Sequence, residues 1–234
     1  MKKVAIIQSN YIPWLGYFDL IGYVDEFIFY DSMQYTKRDW RNRNLIKTPL
    51  GKQWLSVPVK SKGKYLQSIN ETKIDGDKWQ SDHWNALKAN YSRAPYYEEI
   101  CLLMKPFYSI SYTNLSVLNK SIIEKICNYL EIKTKISDSS SFKLNGNKSE
   151  KLLNICIQCD AQKYVSGPSA QKYLDLEIFS AKNIGIEWFN YNSYKEYPQL
   201  WGDFEFQTSI LDLLFNCGPE SKNYLYNARQ YNAR

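Results

Sequence analysis

Near the N-terminus an apolar run, Val4 to Ile7, stops abruptly at Gln8, Ser9 and Asn10, and a helical stripe of Leu15, Phe18, Leu20, Ile21 and Val24 follows. A second run, EFIFYD, comes directly afterwards. The pattern predicts a buried strand over 3–8, a helix over 14–24 and a strand over 26–31. Strand, helix and strand at this spacing form a βαβ unit, whose crossover is parallel and right-handed. KQWLSVPVK and YLQSINETKID read as further strand-like pieces joined by the turn KSKGK, either as a hairpin or as additions to the sheet. The middle is helical. One helix is predicted over 77–92 with Asp77 as N-cap, one over 96–108, and one over 114–131 with its stripe at Leu115, Leu118, Ile122, Ile126 and Leu130. Residues 138–147 read as a loop. Alternation returns with KTKIS, a helix over 149–159, KYVSG, a helix near 170–182 and GIEWFNY. A last helix, TSILDLLFN, stops at Gly218 and Pro219, as a C-terminal cap should.

Strand–helix alternation at both ends of the chain predicts an α/β fold with a mostly parallel, Rossmann-like sheet flanked by helices. The helices of about 77–131 are expected as an insertion, with a single domain over 1–220 and a tail over 221–234. Ligands of open parallel sheets bind beyond the carboxyl ends of the strands, at the switch point. The polar residues after each strand are therefore the candidates. Gln8, Asn10 and Tyr11 follow the first strand; Asp31, Gln34 and the segment TKRDWRNRN follow the second; Ser166 and Gly167 follow KYV.

Composition changes this picture in two ways. Of 234 residues 16% are aromatic, with 20 Tyr and 7 Trp. Such amphipathic rings suit wet binding surfaces, although AT-rich codon usage also raises Tyr, Asn, Lys and Ile. The net charge of +6 is moderately basic and unevenly placed: Lys37, Arg38, Arg41 and Arg43 fall within seven residues. A charge run is commonly a solvated turn. Here Trp40 sits inside it, and Asn42 and Asn44 flank Arg43, which favours a loop that holds phosphate or carboxylate through guanidinium forks. Five cysteines make no disulfide framework, and CIQC (Cys156, Cys159) lacks a second pair for zinc, so buried thiols are expected. His83, the sole histidine, reads either as structural or as a general base. Asp203 and Glu205, alternating in WGDFEF, read as exposed carboxylates or as a catalytic or metal-binding pair. The N-terminal apolar stretch is too short for a signal peptide, and no run has the length of a membrane span, so a cytoplasmic protein without membrane insertion is expected.

QSNYIPWLGYFDLI, DSMQYTKRDWRNRN, WLSVPV, YSRAPYYEE, YVSGPSAQKYL and SILDLLFNCGPE resemble, in order, the blocks of the WbqC-like family. The resemblance runs from residue 6 to about 220. It implies a place among bacterial O-antigen and surface-polysaccharide genes, where attachment of glycine or another acyl group to an amino sugar has been suggested. The opening βαβ unit is also similar to the nucleotidylyl-transferase superfamily, implying an HUP-type sheet. There a His-x-Gly-His turn holds ATP phosphates; here Trp14, Leu15, Gly16 and Tyr17 stand in its place, the glycine kept and both histidines absent.

The expected function is transfer of an aminoacyl or acyl group to a nucleotide-linked amino sugar. The arginine-rich loop would hold the diphosphate, Trp14, Trp40 and Tyr11 would line the sugar or base, and His83 would be the base. No cofactor is required by the sequence; ATP is the one the enzymatic reading admits. The alternatives are a non-catalytic nucleotide-sugar or glycan-binding protein and, with no recognised signature behind it, an RNA-binding protein. The partner expected is the nucleotide-linked amino sugar and no nucleic acid. The oligomeric state is not set.

Overall fold

A computed structural model describes residues 1–192 and 194–227 of the chain. The part of the expected tail over 228–234 lies outside the described residues. Strands β1 (Lys3–Ile7), β2 (Glu26–Phe29), β5 (Lys135–Asp138), β6 (Lys163–Ser166) and β7 (Gly185–Trp188) form one sheet in the order β5-β2-β1-β6-β7. Every pairing in it is parallel. The chain builds outward from β1 through β2 to β5, then crosses to β6 and β7 on the other side. The order therefore reverses between β1 and β6, and the switch-point crevice opens beyond their carboxyl ends.

Alternation along the strands separates two cores. Ala5, Phe27, Phe29 and Val165 face a layer that includes α1 (Leu15–Gly22), α4 (Leu115–Tyr129) and α7 (Ile210–Cys217). Val4, Ile6, Ile28 and Tyr164 face α5 (Lys148–Gln158) and α6 (Leu176–Ser180). Central strands covered on both faces explain the near-continuous apolar runs of β1 and β2. The excursion between β2 and β5 carries α2 (Lys78–Tyr91) and α3 (Tyr97–Ser109) as well as α4. Asn114 caps α4 by accepting from Val117 N at 3.0 Å, and Asn147 with Glu150 forms a capping box on α5.

Three local readings change. The piece KQWLSVPVK supplies β4 (Gly51–Ser56), but its antiparallel partner is β3 (Arg43–Thr48), which starts in the last two residues of the segment read as a charged loop and runs on past it. YLQSINETKID forms no strand; it is attached through the isolated bridges Gln34–Ser68, Val59–Ile74 and Lys73–Asn114. The helix expected near 170–182 is divided into a 3-10 turn over Pro168–Lys172 and α6, because Asp175 starts the second piece by accepting from Glu177 N at 3.1 Å. At the end of α7, Gly218 has φ +50 with the Tyr96 ring closing the space a Cβ would need, so the C-terminal cap stands where glycine alone fits.

Candidate functional site

The residues after β1 are fixed from behind by a buried carboxylate. Asp31 accepts from Ser9 N and Ser9 Oγ, both at 2.7 Å, and from Ser116 Oγ on α4, with Lys120 Nζ at 3.7 Å. Asn119 adds bonds to Ser9 Oγ at 3.3 Å and to the Arg41 carbonyl at 2.8 Å. The chain then passes through Ile12 at φ +43, a left-handed conformation that is costly for a β-branched residue. Asn44 Nδ2 holds that turn, donating to the Ile12 carbonyl at 2.7 Å and the Tyr11 carbonyl at 3.2 Å. The strained turn presents Asn10 and Trp14 to a crevice of about 720 Å³.

The crevice is lined by Asn10, Pro13, Trp14, Trp40, Asn44, Tyr191, Asn192, Tyr194, Phe206, Gln207 and Thr208, none of them charged. Trp14 packs against Tyr191 and Tyr194, ring centroids 5.4 and 5.7 Å away, making an aromatic wall. Tyr194 is anchored by donating to the buried Asp19 of α1 at 2.9 Å. The segment that follows is tied down by Asp212 of α7, which accepts from Tyr197 at 3.0 Å and Gln199 at 2.6 Å. Lys47 of β3 donates to Gln199 Oε1 at 2.6 Å, and Lys52 of β4 pairs with Glu205 at 2.8 Å. At the rim, Arg41 bonds Asn10 Oδ1 and, at 3.2 Å, Gln8 Oε1, with Asp39 at 3.8 Å. The Trp40 ring lies 5.5 Å from Trp54, and the Arg43 guanidinium lies 4.1 Å over Trp54.

Of the residues singled out in the sequence, Asn10, Trp14, Trp40 and Asn44 line the crevice, and Gln8 and Arg41 stand directly behind Asn10. Asp31 and Tyr11 are buried in the support. Ser166 is buried at the end of β6, and the Tyr191 ring lies at ordinary contact distance, 3.7 Å, from the place of a Cβ on Gly167. Gln34 is exposed and donates to the Tyr65 carbonyl at 2.7 Å; Asn42 accepts from Tyr35 at 2.9 Å and donates to the Val57 carbonyl at 2.8 Å. Arg38 is exposed at φ +58, and its carbonyl accepts from Arg43. Gly16 is required by a side chain: a Cβ there would meet Trp14 Cζ2 at 2.4 Å, so the indole occupies the space above the first turn of α1. The turn that would hold phosphate in a His-x-Gly-His protein is thus closed by Trp14.

His83 lies outside the crevice lining, within an aromatic cluster. Its Nδ1 is 2.8 Å from Tyr11 Oη, which is 3.0 Å from Tyr108 Oη, and the ring also bonds the Ser56 backbone. Burial lowers its pKa from 6.5 to about 4, so the ring is neutral at pH 7. Cys156 and Cys159 are buried free thiols, pushed up by burial, Cys159 to about 11. The lining residues missed by sequence reasoning are Tyr191, Asn192, Tyr194, Phe206, Gln207 and Thr208. They lie on 189–209, whose described residues carry no helix or strand. Its signal was aromatic density without periodicity over a length at which loops are commonly functional.

Together these features define a Rossmann-like α/β protein with an uncharged amide-and-aromatic crevice at the switch point of its sheet. A family model, described as the WbqC-like protein family, matches residues 8–224. The chain belongs to that family. It is 54% identical over 231 residues to an uncharacterized protein of Mycobacterium tuberculosis, an alignment covering 98% of this chain and 100% of the relative. No solved structure matches. Among the described residues no helix is long and apolar enough to cross a membrane.

Proposed function

We propose that the protein binds a nucleotide-linked amino sugar, with the sugar in the crevice, in the assembly of a bacterial surface glycan. The observation that carries this is the lining itself: amides and hydroxyls beside aromatic faces, with no charged side chain. Amides both donate and accept, as neutral sugar hydroxyls require, and aromatic rings cover the apolar faces of a pyranose. An amine on the sugar would meet the π faces of Trp14 and Tyr191. Arg41 stands beside Asn10, where a phosphate on the anomeric carbon is met by a guanidinium. Calorimetric titration with a panel of nucleotide-linked amino sugars tests the reading. Saturable binding is expected, weakened about three- to tenfold in Asn10→Ala and Trp14→Ala, the loss of about one hydrogen bond or one aromatic contact. Absence of binding across the panel, or unchanged affinity in both variants, removes it.

Transfer of an acyl or aminoacyl group to the sugar amine is the second reading, favoured by the crevice volume of about 720 Å³, which holds more than one pyranose ring. His83 is not assigned as its base in this reading: the ring is enclosed outside the crevice lining, and a pKa lowered to about 4 makes it a weak proton acceptor. Such a transfer would rest on orienting an activated donor against an unprotonated amine. Mass spectrometry of the sugar after incubation with glycine or an acyl donor and ATP decides: added mass supports transfer, and an unmodified sugar leaves a binding protein.

A further inference from the structure

The crevice lining is uncharged, yet its rim carries the densest positive charge in the chain, and the two meet at Trp40. Trp40 lines the crevice and is itself 44% exposed. Its ring lies 5.5 Å from that of Trp54, tilted by 38°, and Trp54 is 42% exposed. In the β3–β4 register Leu45 is opposite Trp54 and Arg43 is opposite Ser56, so Arg43 and Trp54 share one face of the hairpin. Arg43 lies 4.1 Å over the Trp54 ring, and its Nε, though buried, has no hydrogen-bond acceptor. Arg38, held in place through its carbonyl by Arg43, extends a guanidinium with no ion pair among the described residues.

Single exposed rings are common, but Trp40 and Trp54 lie side by side, and a contiguous exposed aromatic patch marks a binding surface. They would be covered by a flat group. Guanidiniums beside that flat group would be matched by an anion, and a neutral glycan has no use for them. A planar ring joined to phosphate satisfies both requirements. We propose that the Trp40–Trp54–Arg43 rim is the seat of a nucleoside diphosphate, its base on the exposed tryptophan surface that Arg43 leaves open and its phosphates running from Arg43 and Arg38 towards Arg41 at the anomeric end. This deepens the reading above, since it divides the ligand: sugar in the uncharged crevice, nucleotide on the basic rim, with Trp40 at the junction.

UDP and ADP, each alone, and free glucosamine are titrated into the full-length protein and its Trp54→Ala and Arg43→Gln variants. Both nucleoside diphosphates are expected to bind. Trp54→Ala is expected to weaken them by about tenfold or more, the usual loss when a base loses an aromatic platform, and Trp54→Phe to restore most of it. Arg43→Gln is expected to weaken binding and flatten its dependence on salt. Glucosamine affinity is expected to be the same in wild type and Trp54→Ala. The proposal is overturned if neither nucleoside diphosphate binds, if Trp54→Ala binds them as tightly as wild type, or if that variant loses affinity for glucosamine instead, which would make the rim a glycan subsite. Failure of glucosamine to bind, with nucleotide binding still dependent on Trp54, would sink the sugar assignment of the crevice and leave the rim assignment standing.

Discussion

His83 is the sole histidine, and its burial makes a quantitative statement about acid stability. Its pKa falls from 6.5 in water to about 4 in the folded protein, because the charged ring would lie among Tyr11, Trp79 and Tyr108 without solvent. Between these values the unfolded chain binds a proton that the native protein does not. Stability therefore rises with pH through this window, and it is lost as pH falls below 6.5. At about 1.4 kcal/mol per pH unit the full window is worth about 3 kcal/mol. Urea denaturation of wild type and His83→Gln at pH 7.5 and 4 isolates the effect, since carboxylate contributions are common to both and cancel in the difference. Wild type is expected to lose about 3 kcal/mol more than the variant. A single histidine also gives a single imidazole signal, so NMR of the wild type measures the same quantity even if the variant folds poorly. A titration midpoint between 6 and 7, or equal acid losses in the two proteins, would refute the enclosure of His83 and reopen its candidacy as a base.

Two further substitutions test the support of the crevice. Asp31→Asn removes the charge that gathers Ser9, Ser116 and Lys120; a loss of roughly 3 kcal/mol is expected, seen as a Tm lower by roughly 6–12 °C, and an unchanged Tm would contradict it. Gly16→Ala puts a methyl 2.4 Å from Trp14 Cζ2, so the indole must leave its place; a stability cost of about 1–3 kcal/mol is expected together with a shifted tryptophan emission and weaker sugar binding, whereas wild-type emission would show that the indole is not packed there.

The parallel sheet was legible because its central strands are covered on both faces and read as unbroken apolar runs, and because the chain order of strands and helices leaves few topologies. The crevice was legible where a strand ends: Asn10 and Trp14 after β1, Trp40 and Asn44 in the segment after β2. What was not legible depends on contacts distant in sequence. β3 was obscured because Lys47, a buried lysine, interrupts its apolar pattern; its charge is met by Gln199 and the Asp203 carbonyl, more than a hundred residues further on. The second wall of the crevice has no periodicity at all, because its shape is set by Tyr194 on Asp19 and by Tyr197 and Gln199 on Asp212. Gly16 was read as a place where the backbone approaches a ligand, whereas the group that fills the space above it is the Trp14 ring, visible only in three dimensions.

The distribution of carboxylates bears on function. Asp19, Asp31 and Asp212 are each almost completely buried, and each accepts hydrogen bonds from a different segment of the site. Asp31 holds the turn after β1, Asp19 holds the aromatic wall, and Asp212 holds the segment leading to Phe206 and Gln207. Burial raises the pKa of Asp212 even though Tyr91, Tyr197 and Gln199 donate to it. None of the three lines the crevice. The three buried carboxylates position neutral amides and aromatic rings, and the sole histidine is enclosed. On the reading proposed above, a site arranged in this way would discriminate by shape and hydrogen bonding. Any chemistry it performs would follow from holding two reactants in register rather than from moving a proton through a side chain.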